Sequence, residues 1–203
     1  MEPDSYLTIK SFSEGLYKEK GSRFISMAWP VTDQEEIKSI LARIKKEHHS
    51  ARHHCYAWML GHERTSFRVN DDGEPAGSAG KPILGQINAF QVTNVLIIVV
   101  RYFGGKLLGV SGLINAYRSA AESALRNGEI TEHLILEHYD ITFPYSSIND
   151  VMKLIKDEEA SQSDQSFGLE CRMTISFRKA LRDRILASFD RINDLQYYHR
   201  GTY

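Results

Sequence analysis

The amino-acid sequence predicts an α+β protein of two small domains, on three observations. Apolar residues recur at strand and helix intervals along the whole chain. The pattern changes character between residues 128 and 133. From there onward it reads strand, helix, strand, strand, helix, strand. Domains commonly run to roughly 100–150 residues, so a length of 203 suits two small domains or one large one. We take residues 1–130 as the first domain and 131–203 as the second.

In the first domain, Arg23 to Trp29 alternates with Ile25, Met27 and Trp29 on one face, as a half-buried strand does, and Pro30 ends it. Thr32 stands three residues before Glu35, the spacing of a capping box, and Ile37, Ile40, Leu41 and Ile44 follow at helical intervals. His53 to Leu60 alternates again, with Cys55, Ala57 and Met59 on one face and His54, Tyr56 and Trp58 on the other. Asn70 to Lys81 has no periodicity and is rich in turn formers, so it reads as a loop. Ser78 is the expected cap of the next helix, in which Pro82 fits only the first turn and Ile83, Leu84, Ile87 and Phe90 form the apolar side. Val95 to Val100 is continuously apolar, as in a central strand covered on both faces. A second glycine loop, Phe103 to Gly109, opens a long helix with Leu113, Ala116, Tyr117, Ala120, Ala124 and Leu125 facing the core. Asn127-Gly128 should stop it, with glycine in the left-handed position.

In the second domain, Tyr139, Ile141 and Phe143 mark an inward strand face, and Ile148, Val151, Met152 and Ile155 a helix. A strand is expected around Ala160 to Phe167 and another carrying Leu169, Cys171, Met173, Ile175 and Phe177. A helix with Leu181, Ile185, Leu186 and Phe189 and a short run at Leu195 to Tyr198 complete βαββαβ, the ferredoxin-like unit.

Composition narrows the function classes. A hydrophobic share of 42% and a charged share of 25% are ordinary for a globular chain. The net charge of -1 names no partner, but residues 1–130 carry 16 basic against 14 acidic residues and residues 131–203 carry 9 against 12. The first domain is therefore the more anion-facing one. Cys55 and Cys171 form no disulfide framework and lack zinc-finger partners. Residues 1–10 lack the basic and apolar regions of a secretory signal, and the apolar run Val95 to Val100 is far shorter than the ~20 residues a bilayer requires. These features place the expected location in the cytoplasm, with no membrane partner.

Several motifs approach known chemistries and miss them. His53 shares a strand face with Cys55 while His54 points away, so at most one histidine could activate the thiol; a buried, inert Cys55 is the plainer reading. Asp71, Asp72 and Glu74, around Gly73, form an acidic loop cluster that lacks the remaining oxygens of an EF-hand and reads better as turn caps and ion pairs. Gly77 to Pro82 resembles the end of a phosphate loop, but Pro75 replaces its first glycine and Pro82 its Ser or Thr. Gly109 to Leu113 falls one glycine short of a nucleophile elbow, and no G-x-G-x-x-G occurs. No metal or other cofactor is expected.

What remains is collective. Two glycine-rich loops each lead into a helix, and helix N-termini offer N–H donors and a positive dipole end to anions. Lys81 and Lys106 lie on those loops. Arg52, His53, His54, Arg101 and the aromatic residues Tyr102 and Phe103 lie at strand ends that can border the same cleft, a combination suited to a phosphate backbone with stacked bases. The plainer reading is that the glycines serve tight turns and the charges solvate the surface.

Four ordered blocks, Arg23-Phe-Ile25, Ala51 to Trp58, Asn70 to Pro82 and Val99 to Gly109, together resemble the YigZ/IMPACT family across nearly all of the first domain. The resemblance implies a first domain with the fold shared by a ribosomal protein domain, the fourth domain of elongation factor G and the GHMP kinases. It implies a second, ferredoxin-like domain similar to the C-terminal domain of elongation factor G, as in bacterial members. Eukaryotic members act in translational control through an additional RWD domain that has no counterpart in this sequence, so the implication for this chain is nucleic-acid or ribosome association. The GHMP kinase relation is one of fold, which does not establish an activity.

The leading expectation is a non-enzymatic binding protein with a role in regulation of translation. RNA or the ribosome would be its partner, held by Arg52, His54, Lys81, Arg101, Tyr102, Phe103, Gly104, Gly105 and Lys106. One rival is an enzyme of unknown substrate using Asp71, Asp72 or Glu74 with His53 or His54. A second rival is a regulator that docks a translation-related protein in the same cleft.

Overall fold

The computed structural model describes residues 4–203. It is a mixed α/β protein that divides into two compact units, Tyr6–His133 and Leu134–Tyr203, with Asp4 and Ser5 belonging to the latter.

The chain from Ser5 to Leu134 contains, in order, β1 (Ser5–Ile9), β2 (Ser13–Glu19), β3 (Ser22–Pro30), α1 (Gln34–Glu47), β4 (His53–Leu60), β5 (Ser66–Asn70), α2 (Gly80–Ala89), β6 (Val95–Tyr102), α3 (Gly109–Asn127) and β7 (Ile130–Leu134). Strands β2-β3-β6-β4-β5 form one antiparallel sheet, and β1 pairs with β7 separately. The continuous run Val95 to Val100 is central, as its pattern predicts, because both of its faces are covered. Val95, Ile97 and Val99 enter the core beneath α2 and α3. Leu96, Ile98 and Val100 enter the core beneath α1 with Ile37, Ile40 and Ile44. The alternation of β4 divides the same way, Cys55, Ala57 and Met59 toward α2 and α3, Tyr56 and Trp58 toward α1.

Helix ends depart from expectation in three places. Asp33, not Thr32, caps α1, its Oδ1 accepting from the Glu35 and Glu36 amides at 2.8 Å, while Glu36 returns to the Thr32 N–H at 3.1 Å. Ser78 does not cap α2: among the described residues its buried Oγ has no hydrogen-bond partner, and Asp71 caps that helix from across the loop. Gly128 is extended rather than left-handed, with φ −86° and ψ 156°. Its small size is needed for another reason, since an added Cβ would lie 2.9 Å from Ser13 Oγ.

Four strands of this unit escape the periodicity. The clearest case is β2, whose face toward α3 carries Ser13, Gly15 and Tyr17 instead of an aliphatic stripe. The helix backbone packs directly on the strand there, and an added Cβ at Gly15 would lie 2.5 Å from the Ala124 nitrogen. Strand β5 is a largely exposed sheet edge with no inward apolar set, and β1 and β7 are short.

The second unit has β8 (Leu136–Pro144), α4 (Ile148–Asp157), β9 (Ser161–Ser166), β10 (Glu170–Arg178), α5 (Arg182–Phe189) and β11 (Gln196–Thr202), with antiparallel strand order β11-β8-β10-β9. Tyr139, Ile141, Phe143, Cys171, Met173, Ile175 and Phe177 pack with Val151, Ile155, Ile185 and Phe189. Two residues expected in this core are outside it. Leu169 is 98% exposed because it precedes β10 in the turn, and Met152 is 38% exposed because it flanks the Ile148, Val151, Ile155 stripe.

Candidate functional site

The loop from Asn70 to Gly80 is built around its own carboxylates. Asp71 Oδ2 accepts from the Gly77 amide at 2.8 Å, and Oδ1 accepts from Ala79 at 3.0 Å and Gly80 at 2.8 Å. Burial works against ionisation of Asp71, but these three donors and the nearby Lys81 charge outweigh it and hold the carboxyl below its usual value. Asp72, at φ 40°, turns the chain back so that its Oδ2 accepts from the His54 amide at 2.7 Å. His53 Nδ1 donates to the Asp72 carbonyl at 2.9 Å, and Lys45 reaches Asp72 Oδ1 at 3.4 Å. For Asp72, too, burial opposes ionisation and is outweighed by the His54 amide and the Lys45 and His54 charges.

Glu74 joins this loop to the sheet and to α3. Its side chain is buried, and Oε1 accepts from Arg101 Nη1 at 2.7 Å and from the Tyr117 hydroxyl at 2.8 Å. The Cys55 thiol lies in the same network, donating to the Asp71 carbonyl at 3.0 Å and to the Tyr117 oxygen at 3.3 Å. Burial pushes the Cys55 thiol well above its ordinary pKa, and burial together with Cys55 and Glu74 does the same to Tyr117. A thiol held protonated in this way is a packed hydrogen-bond donor and not a nucleophile.

The second loop, Phe103 to Leu108, leaves the end of β6 beside this network. The Arg101 guanidinium lies 5.5 Å from the Phe24 ring centroid and 5.6 Å from that of Phe103. Gly104 abuts the β2–β3 turn so closely that an added Cβ would lie 1.9 Å from the Gly21 carbonyl carbon, and its amide donates to Ser22 Oγ at 3.0 Å. Phe103 is 55% exposed, Leu107 85% and Val110 53%, with Gly105 and Lys106 exposed between them. The N-cap residue of α3, Leu108, supplies no side-chain hydrogen bond to the helix.

The two loops therefore converge, through Glu74, Arg101 and Tyr117, and the expected residues separate into two groups. Arg52, Lys81, Phe103, Gly104, Gly105 and Lys106 are exposed around the convergence, and Gly73 is exposed at the tip of the acidic turn. Arg101 and His54 are not surface contacts, each being 7% exposed. Arg101 is committed to Glu74. His54 pairs with Val100 on the α1 side of the sheet, where its Nε2 donates to the His48 carbonyl at 3.2 Å. Tyr102 also faces α1, with its hydroxyl 2.9 Å from His48 Nδ1, because successive strand residues point to opposite faces. It therefore cannot stack beside Phe103. The α2 N-terminus is likewise occupied, by Asp71. Among the described residues, no group of three or more His, Cys, Asp or Glu side chains is arranged to hold a metal ion. The residues that sequence reasoning missed are Tyr117, hidden because it also serves the α3 core stripe, and Leu107 and Val110, whose outward placement depends on how the loop is anchored.

Two convergent glycine loops on an antiparallel sheet, braced by a buried Glu–Arg–Tyr cluster, characterise the first unit. The Impact N-terminal domain family matches residues 20–125, and the chain belongs to the IMPACT family. It is 38% identical over 138 residues to IMPACT family member YigZ of Escherichia coli K12, covering 67% of this chain and 68% of that one. It is 42% identical over 126 residues to an IMPACT family member of Haemophilus influenzae, covering 60% of each chain. A crystal structure described as that of a hypothetical protein aligns with a TM-score of 0.74 at 30% identity and covers 98% of both chains.

Proposed function

We propose that this protein is a binding protein of translational regulation that engages RNA, free or ribosomal, at the convergence of its two glycine loops. The observation that carries the reading is the Phe103 to Gly109 loop, which presents an aromatic ring and Lys106 to solvent ahead of a helix whose N-cap residue, Leu108, supplies no side-chain hydrogen bond. Phosphates would lie over the α3 N-terminus between Lys81, Lys106 and Arg52, with a base stacked on Phe103. The Asp71, Asp72 and Glu74 carboxylates serve as scaffold in this reading, fixing the loop that carries Lys81. Family membership supports the translational setting, for which we take the cytoplasm as the location. No helix among the described residues is long and apolar enough to cross a membrane. We take the first unit to share the ribosomal-protein and GHMP-kinase fold and the second to be ferredoxin-like.

The test is titration of a labelled single-stranded RNA at increasing salt. Affinity should fall steeply with salt. Lys81→Ala with Lys106→Ala should weaken binding and flatten the dependence by about 0.7 log units per decade of salt for each phosphate that is no longer neutralised. Absence of binding at low salt ends this reading. Leu107 and Val110 favour one second reading, a translation-related protein docked on the same loop. Co-purification of such a protein that survives nuclease and is abolished in Leu107→Ser would establish that alternative.

A further inference from the structure

The two faces of the five-stranded sheet are covered unequally. Helices α2 and α3 close one face, whereas α1 alone lies on the other. Opposite residues of antiparallel strands share a face, so Glu14↔Met27, Leu16↔Ile25 and Lys18↔Arg23 all lie on the α1 side. Here the apolar floor continues beyond α1: Leu16 is 50% exposed, Phe12 48%, and Ile25 and Trp29 are half-buried. Two hollows, of about 400 and 390 Å³, share Glu14 and run along β2, one toward Lys18 and Arg23 and the other between Trp29 and the Arg43–Glu47 edge of α1.

The charges at this surface identify what fits it. Lys18 and Arg23 are like charges directly opposite each other, an unfavourable pairing. Among the described residues neither has a carboxylate within 4.0 Å, and Arg23 only overlies the Tyr102 ring at 5.2 Å. Glu14, Arg43 and Glu47 lie on the same surface toward its other end, where Arg43 pairs with Glu47 at 3.9 Å, so the cationic excess is confined to the Lys18 and Arg23 end. The free edge of β2 is blunted, because Asn127 Nδ2 donates to the Glu14 carbonyl at 2.8 Å, so the face and not the edge is the available surface. From residue 12 to residue 18 a strand spans about 20 Å, the length of about 14 residues of helix. That is also the length of α1.

We infer that the sheet face beside α1 is a docking site for an amphipathic α-helix of a partner protein. The helix lays an apolar stripe over Phe12, Leu16, Ile25 and Trp29 and places an acidic C-terminal turn over Lys18 and Arg23. The helix dipole adds to that charge match, and the arrangement is a helix-in-groove mode of recognition.

The probe is a synthetic Leu-striped helical peptide of about 14 residues ending in two Glu, compared with the same peptide ending in two Lys. Trp29 fluorescence gives the readout, with Trp29→Phe as the control for the buried Trp58. The Glu-ended peptide should shift the emission and bind about tenfold more tightly than the Lys-ended one. Leu16→Glu should abolish binding, and Lys18→Glu with Arg23→Glu should invert the preference. These are exposed positions, so thermal melting should show intact folding. No response to the Glu-ended peptide, or equal binding of both peptides, overturns the proposal. So does a Trp29 response to single-stranded RNA that Lys18→Glu with Arg23→Glu removes, or a concentration-dependent dimer that Leu16→Glu dissolves. Lys81 and Lys106 play no part here, so this result is independent of the RNA titration.

Discussion

Glu74 and Arg101 meet at 2.7 Å with side chains 4% and 8% exposed, and this pair ties the acidic loop to the end of the central strand. Tyr117 donates to the same Glu74 oxygen from α3, so three separate elements are referenced to one carboxylate. Removing one partner of a buried ion pair leaves an uncompensated charge. Glu74→Ala or Arg101→Ala should therefore cost about 3–5 kcal/mol, while Glu74→Leu combined with Arg101→Met should cost much less than the sum. Urea denaturation of the four proteins tests this, and additive losses would show that the two residues are not coupled.

Asp71 gives the fold a pH dependence with a definite sign. Its carboxyl is held below the usual value, so its stabilisation is fully present above the unfolded pKa of about 4 and is lost as pH falls through the lower, folded value. Asp71→Asn should lower stability by about 0.5–2 kcal/mol at neutral pH, the usual worth of a helix cap. The gap between wild type and variant should close as the pH is lowered below 4, measured by urea midpoints across the acid range.

Both cysteines are buried, and the Cys55 thiol is held protonated by burial. Native protein should therefore release no colour with a thiol reagent at mildly alkaline pH, and two thiols should react on denaturation. Rapid labelling of Cys55 in the native state would mean that the network around Tyr117 opens readily.

Gly104 and Gly105 separate packing from backbone conformation. Gly104→Ala drives a methyl into the Gly21 backbone and should cost at least ~1–3 kcal/mol while displacing the Phe103 to Lys106 loop. Gly105 has open space around it and a φ of 85°, so Gly105→Ala should cost only the ~1–2 kcal/mol of the left-handed conformation. Thermal denaturation reads both. Equal effects would mean that the Gly104–Gly21 approach is not tight in solution.

Legibility followed how local the determining forces are. Val95 to Val100 is evident as a central strand, and the alternation of His53 to Leu60 separates its faces, because burial repeats with the period of the strand. Strand β2 was not evident, since its face toward α3 carries Ser13 and Gly15, small enough to admit the helix backbone, in place of an aliphatic stripe. The site was half legible. The loops, their glycines and the exposed Lys81, Lys106 and Phe103 stand out, but nothing local says that Arg101 turns inward or that Asp71 caps α2 from eight residues before Ala79.

By itself the sequence determined the mixed α/β class, the main helices and strands, and the family, since these rest on periodicity and contiguous motifs. Only the tertiary structure decided which charges are scaffold and which face solvent. An Arg at a strand end is surface or core according to whether a carboxylate from a distant loop reaches it, and that depends on three-dimensional closure. The uncovered face beside α1 belongs to the same category, because a sheet's exposure is set by how many helices finally pack on it.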